Sequence, residues 1–119
     1  MTISNEPNQL LVKLMSASTQ RYRVLTNNLV NQNTPGYVRE TVAFEDLLAK
    51  ELNEPRPDLL SVEPEVQRDH FTPTGADGNN VSPELELNGL LQNRMQYELY
   101  STMLAGRMEL LRAAIEEGR

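Results

Sequence analysis

Residues 82–117 read SPELELNGLLQNRMQYELYSTMLAGRMELLRAAIEE. Steps of three and four residues from Leu87 land on Leu90, Arg94, Tyr97, Ser101, Leu104, Met108, Leu111 and Ile115, and seven of these nine positions are apolar. Sustained over about four heptads, that spacing predicts a long helix whose seam is Leu87, Leu90, Tyr97, Leu104, Met108, Leu111 and Ile115. The start is marked as well. Ser82 suits the N-cap, Pro83 the first helical position, and Glu84 and Glu86 complement the positive end of the helix dipole. At about 1.5 Å per residue, a helix over 83–117 spans roughly 50 Å. Leu91, Met95, Leu99 and Met103 fall off the seam, so the helix is apolar on two sides and neighbouring chains are expected to cover the second.

Working back toward the start, residues 8–33 read as a second helix. Leu11, Leu14, Ser18, Tyr22, Leu25 and Leu29 recur at three- and four-residue steps, with Leu10, Ala17 and Val24 widening the stripe. Two long seams at the ends of one chain pair as an antiparallel coiled-coil hairpin. The segment 34–52 holds a turn and a short third helix, because Phe44, Leu47 and Leu48 share a face near Ala43 to Leu52. Between 53 and 82 lie Pro55, Pro57, Pro64 and Pro73 and the run Thr74-Gly75-Ala76-Asp77-Gly78-Asn79-Asn80, which read as a flexible, acidic, Pro-rich segment. The expected fold is therefore mainly α: paired N- and C-terminal helices, a short third helix and an extended loop, in one domain over 1–119.

Composition agrees with that outline. The 119 residues are 39% hydrophobic but only 5% aromatic, with no Trp and no Cys, so a compact core built on buried rings is not expected. The absence of cysteine excludes disulfides, thiol nucleophiles and Cys-based metal sites. The net charge of −6 argues against a nucleic-acid surface, which needs clustered Lys and Arg. That charge is unevenly spread. Residues 38–82 hold four basic and ten acidic side chains, whereas residues 1–37 hold three and one. The start of the chain is polar and lacks the apolar stretch of a secretory signal, and no run approaches the roughly 18 apolar residues of a membrane span. No direct membrane insertion and no cleaved signal are expected.

The most distinctive local sequence is Asn27-Asn28-Leu29-Val30-Asn31-Gln32-Asn33-Thr34-Pro35-Gly36-Tyr37. Asn is a poor helix former and Pro35 moves Thr34 out of the helical region, so the first helix stops within Asn31 to Asn33. Pro35 and Gly36 suit the centre of a type II turn, with Gly36 taking the positive φ. A helix stop explains Asn33, Pro35 and Gly36. It leaves Asn28 and Asn31, one helical turn apart, as amides available to a loop or another chain.

This run, NNLVNQNTPGYVRE, resembles the Asn-rich, TPGY-ending signature of bacterial flagellar rod and hook proteins. Phe44 soon after it, a length near 120, the DGNNV of Asp77 to Val81, Glu86-Leu87 and Tyr97 in the terminal helix are similar to the proximal rod type. Val30 and Ser82-Pro83 depart from that pattern. The resemblance implies a structural subunit of the flagellar basal body. It would be exported without a cleaved signal peptide through the flagellar type III apparatus and packed helically into the periplasmic rod as an axial drive shaft. The partners implied are further copies of itself, other rod subunits, adaptor and ring proteins, and the export apparatus. By position, Asn28, Asn31, Thr34, Pro35, Gly36 and Tyr37 match the first motif and Asp77, Gly78, Asn79, Asn80 and Val81 the second, as assembly residues with no chemistry attached. A soluble coiled-coil binding module, such as an export chaperone or regulator, is the alternative.

Catalysis has little to stand on. His70 is the single histidine and sits beside Asp69 in a polar loop. An EF-hand starting at Asp77 needs Gly at position 82 and Glu at 88, where the chain has Ser82 and Asn88. Glu45-Asp46 and Glu116-Glu117 read as solvated helix faces, and no phosphate loop, nucleophile elbow or His pair is present. No enzyme activity, cofactor or metal is expected.

Overall fold

The computed structural model describes residues 5–118. Residues 1–4 and Arg119, included in the sequence reading above, lie outside them. Two long helices dominate: α1, Glu6–Val30, and α3, Pro83–Glu117. The start of α3 follows its signals. Ser82 adopts extended backbone and its hydroxyl accepts from the Leu85 N–H at 3.4 Å, with Pro83 opening the helix. Helix α1 ends where the Asn-rich run predicts, with Asn31 as its C-cap.

Contacts between the two helices run in opposite sequence order. Glu86 meets Asn28, Leu25 packs under Gly89, Asn93 meets Ser18 and Arg107 meets Asn8, so the pairing is antiparallel. A Cβ at Gly89 would come within 3.1 Å of Leu25 Cδ2, which makes this the close approach of the hairpin. Ten further residues of α3, 108–117, run past the level of Asn8, about 15 Å at the helical rise. The molecule is flat and elongated, 67 × 32 × 14 Å.

Between the long helices the structure holds more than the sequence suggests. Strand β1, Glu40–Ala43, pairs antiparallel with β2, Glu65–Arg68, in the register Glu40 to Arg68 and Ala43 to Glu65. A short helix α2, Glu45–Glu51, and a single 3₁₀ turn, Leu59–Ser61, lie between them. Neither strand stands out in the sequence, because each has four residues and its partner lies more than twenty residues away. The short helix expected over Ala43 to Leu52 is correspondingly trimmed, since Ala43 belongs to β1 and Phe44 is fully buried at the junction.

Side-chain straps hold this layer on α1. Lys13 Nζ donates to the carbonyls of Leu60 and Val62 at 2.5 and 2.8 Å and to Glu63 Oε1 at 2.7 Å. Arg21 Nη2 donates to the Val42 carbonyl at 3.0 Å and to Glu45 Oε2 at 2.7 Å. The apolar core under these straps is small: Leu11, Ala17, Leu25, Val42 and Phe44.

Candidate functional site

The two motifs singled out in the sequence, 40 residues apart, meet at the end of α1. The Asn79 amide donates to the carbonyls of Asn31 and Thr34 at 2.9 and 2.7 Å, adding a second donor to each beside the backbone N–H groups of Thr34 and Tyr37. Its oxygen accepts from the Val81 N–H at 2.7 Å. Gly36 N–H donates to the Asp77 carbonyl at 2.8 Å, and Tyr37 N–H closes the Pro35-Gly36 turn on the Thr34 carbonyl at 3.2 Å. Gly36 and Gly78 both have positive φ, 75° and 80°, and a Cβ on Gly78 would lie 3.4 Å from Gly36 Cα. Glycine is needed at both by conformation. Asn31 and Thr34 complete the turn through their side chains, Thr34 Oγ1 donating to Asn31 Oδ1 at 3.1 Å. Pro35 is exposed.

Beneath this contact lies a buried polar knot. The Asn28 side chain, fully buried, donates to the Glu40 carbonyl at 2.8 Å and accepts from the Glu40 N–H at 3.0 Å. Tyr37 Oη donates to Asn28 Oδ1 at 3.2 Å. Burial, with the charge of Glu40 adding to it, raises the pKa of the Tyr37 phenol above its ordinary value, which keeps that donor protonated. Glu86, also fully buried, accepts from Asn28 Nδ2 at 3.1 Å and from Arg39 Nε and Nη2 at 2.6 and 3.3 Å. Arg39 reaches Asp69 with Nη1. Asn80 accepts from the Arg39 N–H at 2.6 Å and donates to the Asp69 carbonyl at 2.7 Å.

Arg39 thus stands between two carboxylates, one guanidinium bridging both. Burial opposes that charge, but hydrogen bonds to Glu86 and Asp69 outweigh it and raise the guanidinium pKa. The Thr72 hydroxyl, ahead of Arg39 and the N–H groups of Thr72 and Phe71, holds the Asp69 carboxyl far below its usual range against the push of burial. Every strong donor here is met by an acceptor within the chain. The arrangement fixes geometry: it ties α1, β1, the 69–80 loop and the start of α3 to one point.

Sequence reasoning found Asn28, Tyr37, Asn79 and Asn80 but gave no role to Arg39 or Asp69, and it read Glu86 as a dipole partner. Nothing local marks them, because their partners lie 30 and 47 residues away.

The helix seam requires correction. Leu90, Leu104 and Leu111 lie half-buried, but Leu87, Tyr97, Met108 and Ile115 are 57%, 41%, 49% and 55% exposed. The row that meets α1 is rotated from the apolar one and carries Glu86, Asn93 and Arg107, met by Asn28, Ser18 and Asn8. Polar pairs share the inside of the hairpin with Leu11, Ala17 and Leu25, so apolar periodicity alone does not give its contact line. Leu91, Met95, Leu99 and Met103 are also exposed. A groove of about 540 Å³ opens between the helices beside Tyr22, Leu90, Leu91, Arg94 and Tyr97.

Among the described residues no group of three or more His, Asp or Glu is placed to hold a metal ion, and no helix is long and apolar enough to cross a membrane. No protein-family model matches the chain. Individual proteins do. The flagellar basal body rod protein FlgB of Borreliella burgdorferi is 32% identical over 104 residues, covering 71% of this chain and 77% of that one. FlgB of Bacillus subtilis is 25% identical over 125 residues, covering 93% and 94%, and FlgB of Aquifex aeolicus 29% over 112 residues, covering 90% of each.

Proposed function

The chain belongs to the FlgB family of flagellar basal-body rod proteins, and on that premise we propose that this structural subunit assembles helically through its terminal helices into the axial drive shaft of the flagellum. The supporting observation is the apolar surface left open on α3. Leu87, Leu91, Met95, Leu99 and Met103 recur every four residues and are all about half exposed or more, which forms an i, i+4 ridge of the kind that packs into the groove of another helix. Covering the exposed half of four such side chains contributes on the order of 3–6 kcal/mol per contact. The overhanging end of α3, with Met108, Leu110 and Ile115 exposed, extends that surface beyond the hairpin.

In this reading the polar knot and the open ridge have different tasks. The knot, with the motif residues Asn28, Asn31, Thr34, Pro35, Gly36, Tyr37, Asp77, Gly78, Asn79, Asn80 and Val81 in and around it, sets the angle at which the chain leaves α1 and enters α3. The ridge and the exposed seam residues Leu87, Tyr97, Met108 and Ile115 meet copies of the chain and other rod subunits. Torque then passes through interlocked rigid hairpins. Export through the flagellar type III apparatus and contacts with adaptor and ring proteins complete the proposal.

Leu99→Asp tests it. A charge on this exposed site leaves the isolated hairpin within about 0.5 kcal/mol of its parent, while burial in an assembly would leave the charge without a partner. The expected result is unchanged helicity by circular dichroism, loss of the tagged protein from detergent-resistant basal bodies, and loss of motility. Normal motility with normal incorporation refutes the assembly face. A parent chain found wholly in the cytosol, as a discrete oligomer, would favour an export chaperone or regulator.

A further inference from the structure

Phe71 is 97% exposed, although a ring of this size is normally among the first residues a chain buries. It is also firmly held. The N–H groups of Phe71 and Thr72 donate to Asp69 Oδ1 at 2.9 and 3.0 Å, and the Thr72 hydroxyl donates to Asp69 Oδ2 at 2.6 Å. Asp69 is itself fixed by Arg39. Asn80 Nδ2 donates to the carbonyls on both sides of the ring, Asp69 at 2.7 Å and Thr72 at 3.3 Å. The turn therefore displays one aromatic side chain from a backbone anchored to the buried polar knot. A pre-organised aromatic anchor loses little freedom on capture, and such anchors dominate binding interfaces.

The same chain carries an open apolar groove of about 540 Å³, bordered by Tyr22, Leu90, Leu91, Arg94 and Tyr97. Ser18 and Asn93 also line it, and Ser18 Oγ and Asn93 Oδ1 are buried without hydrogen-bond partners. Resting on the self-assembly proposed above, we infer that Phe71 of one copy seats in this groove on the next copy. Three observations select a second copy as the occupant. Knob and groove are different surfaces of one chain, so their union is heterologous and repeats from copy to copy as an open helical array requires. Arg94, paired with Glu98 at 3.2 Å along α3, is the groove's single charged residue, and with Tyr22 and Tyr97 in the same lining it suits an aromatic ring through cation–π and edge contacts. Thr72 and Pro73, which follow Phe71 in the knob, bring no charge into the apolar site.

Size argues the same way. One buried ring falls well short of the cost of bringing two free proteins together. The contact is therefore silent between free monomers and acts once the helices hold copies side by side, where it fixes their mutual offset. Free chains stay apart until assembly.

Photo-crosslinking in cells tests this with the ring position kept aromatic, using Phe71→p-benzoylphenylalanine in a tagged full-length chain. Recovery of the chain with basal bodies establishes the assembly reading independently of the knob. The expected result in that fraction is a ladder at integer multiples of the tagged chain's mass, 13.5 kDa plus the tag, whose crosslinked peptides map to residues 18–22 or 90–97 of a second copy. Crosslinks elsewhere on a second copy, to a different protein, or to nothing in an incorporated chain overturn the knob and leave the rod reading standing. Absence from basal bodies of both this variant and the unsubstituted tagged chain overturns both. Phe71→Ala provides a second measurement, because so exposed a ring adds little to the monomer's own packing. It should keep full helicity yet enter basal bodies about tenfold less, the equilibrium factor for losing one ring's burial, and unchanged incorporation overturns the inference.

Discussion

Replacing Arg39 with Met would open the polar knot from its centre. Met keeps the unbranched stem of Arg39 and deletes the guanidinium. Glu86, which is fully buried, would lose the donors at 2.6 and 3.3 Å and keep only Asn28 Nδ2 at 3.1 Å. Asp69 suffers less, because the Thr72 hydroxyl and two backbone N–H groups remain on it. The loss is therefore dominated by one uncompensated buried carboxylate, a change that costs about 3–5 kcal/mol. Against the 5–15 kcal/mol typical of a whole domain, that removes a fifth or more of the stability. Urea unfolding followed by far-ultraviolet circular dichroism measures it, with an osmolyte such as TMAO added to keep the parent helical at zero urea. The double variant Arg39→Met/Glu86→Leu removes the stranded charge along with its partner and should recover at least half of the loss. The reasoning is refuted if Arg39→Met unfolds within about 0.5 kcal/mol of the parent, or if the double variant is worse than the two single losses added.

Three further outcomes follow from the same geometry. Asn79→Ala removes the amide bonds to the Asn31 and Thr34 carbonyls just past α1 and should cost about 1–3 kcal/mol. Hydrogen exchange should quicken at Asn31 to Tyr37 while the middle of α3 is unaffected, and uniform protection would contradict the latch. The folded pKa of Asp69 lies below its unfolded value of about 3.9, so its contribution to stability is full above about pH 5 and is lost as pH falls toward the folded value. Asp69→Asn should lower stability at neutral pH and flatten that acid limb in a pH titration of helicity; an unchanged limb would show that other carboxylates control it. Gly36→Ala forces a side chain into φ +75° and should cost about 1–2 kcal/mol, seen as a drop of several degrees in Tm, whereas an equal Tm would mean that the turn relaxes freely.

How far the sequence could be read depends on how local each signal is. Helix α3 is bounded as expected because Ser82-Pro83 and the first-turn acids act within one turn, and α1 stops at Asn31 because Pro35 acts on its immediate neighbours. Each motif is visible alone, but their meeting through Asn79, Asn31 and Thr34 is a tertiary event. The strands are hidden by their length. Arg39 illustrates the limit: an Arg two residues beyond Tyr37 looks like a surface charge until Asp69 and Glu86 arrive from distant parts of the chain. The seam was misplaced for a different reason, since periodicity assumes that the inside of a hairpin is its most apolar side.

That inversion gives the hairpin its register. Asn8 with Arg107, Ser18 with Asn93 and Asn28 with Glu86 form three polar rungs along the interface, and a slip of one turn would bury Glu86 without Arg39 or Asn28. Apolar side chains in the same rows would tolerate such a slip, because one Leu packs much like another. The rungs thus sacrifice some burial inside the hairpin and leave Leu87, Leu91, Met95 and Leu99 outside it. For a free monomer this is a poor arrangement, with a thin core and an exposed ridge. For a subunit that must present the same ridge at the same angle in every copy, the register has to be set before the ridge is covered, and directional hydrogen bonds set a register that non-directional burial cannot.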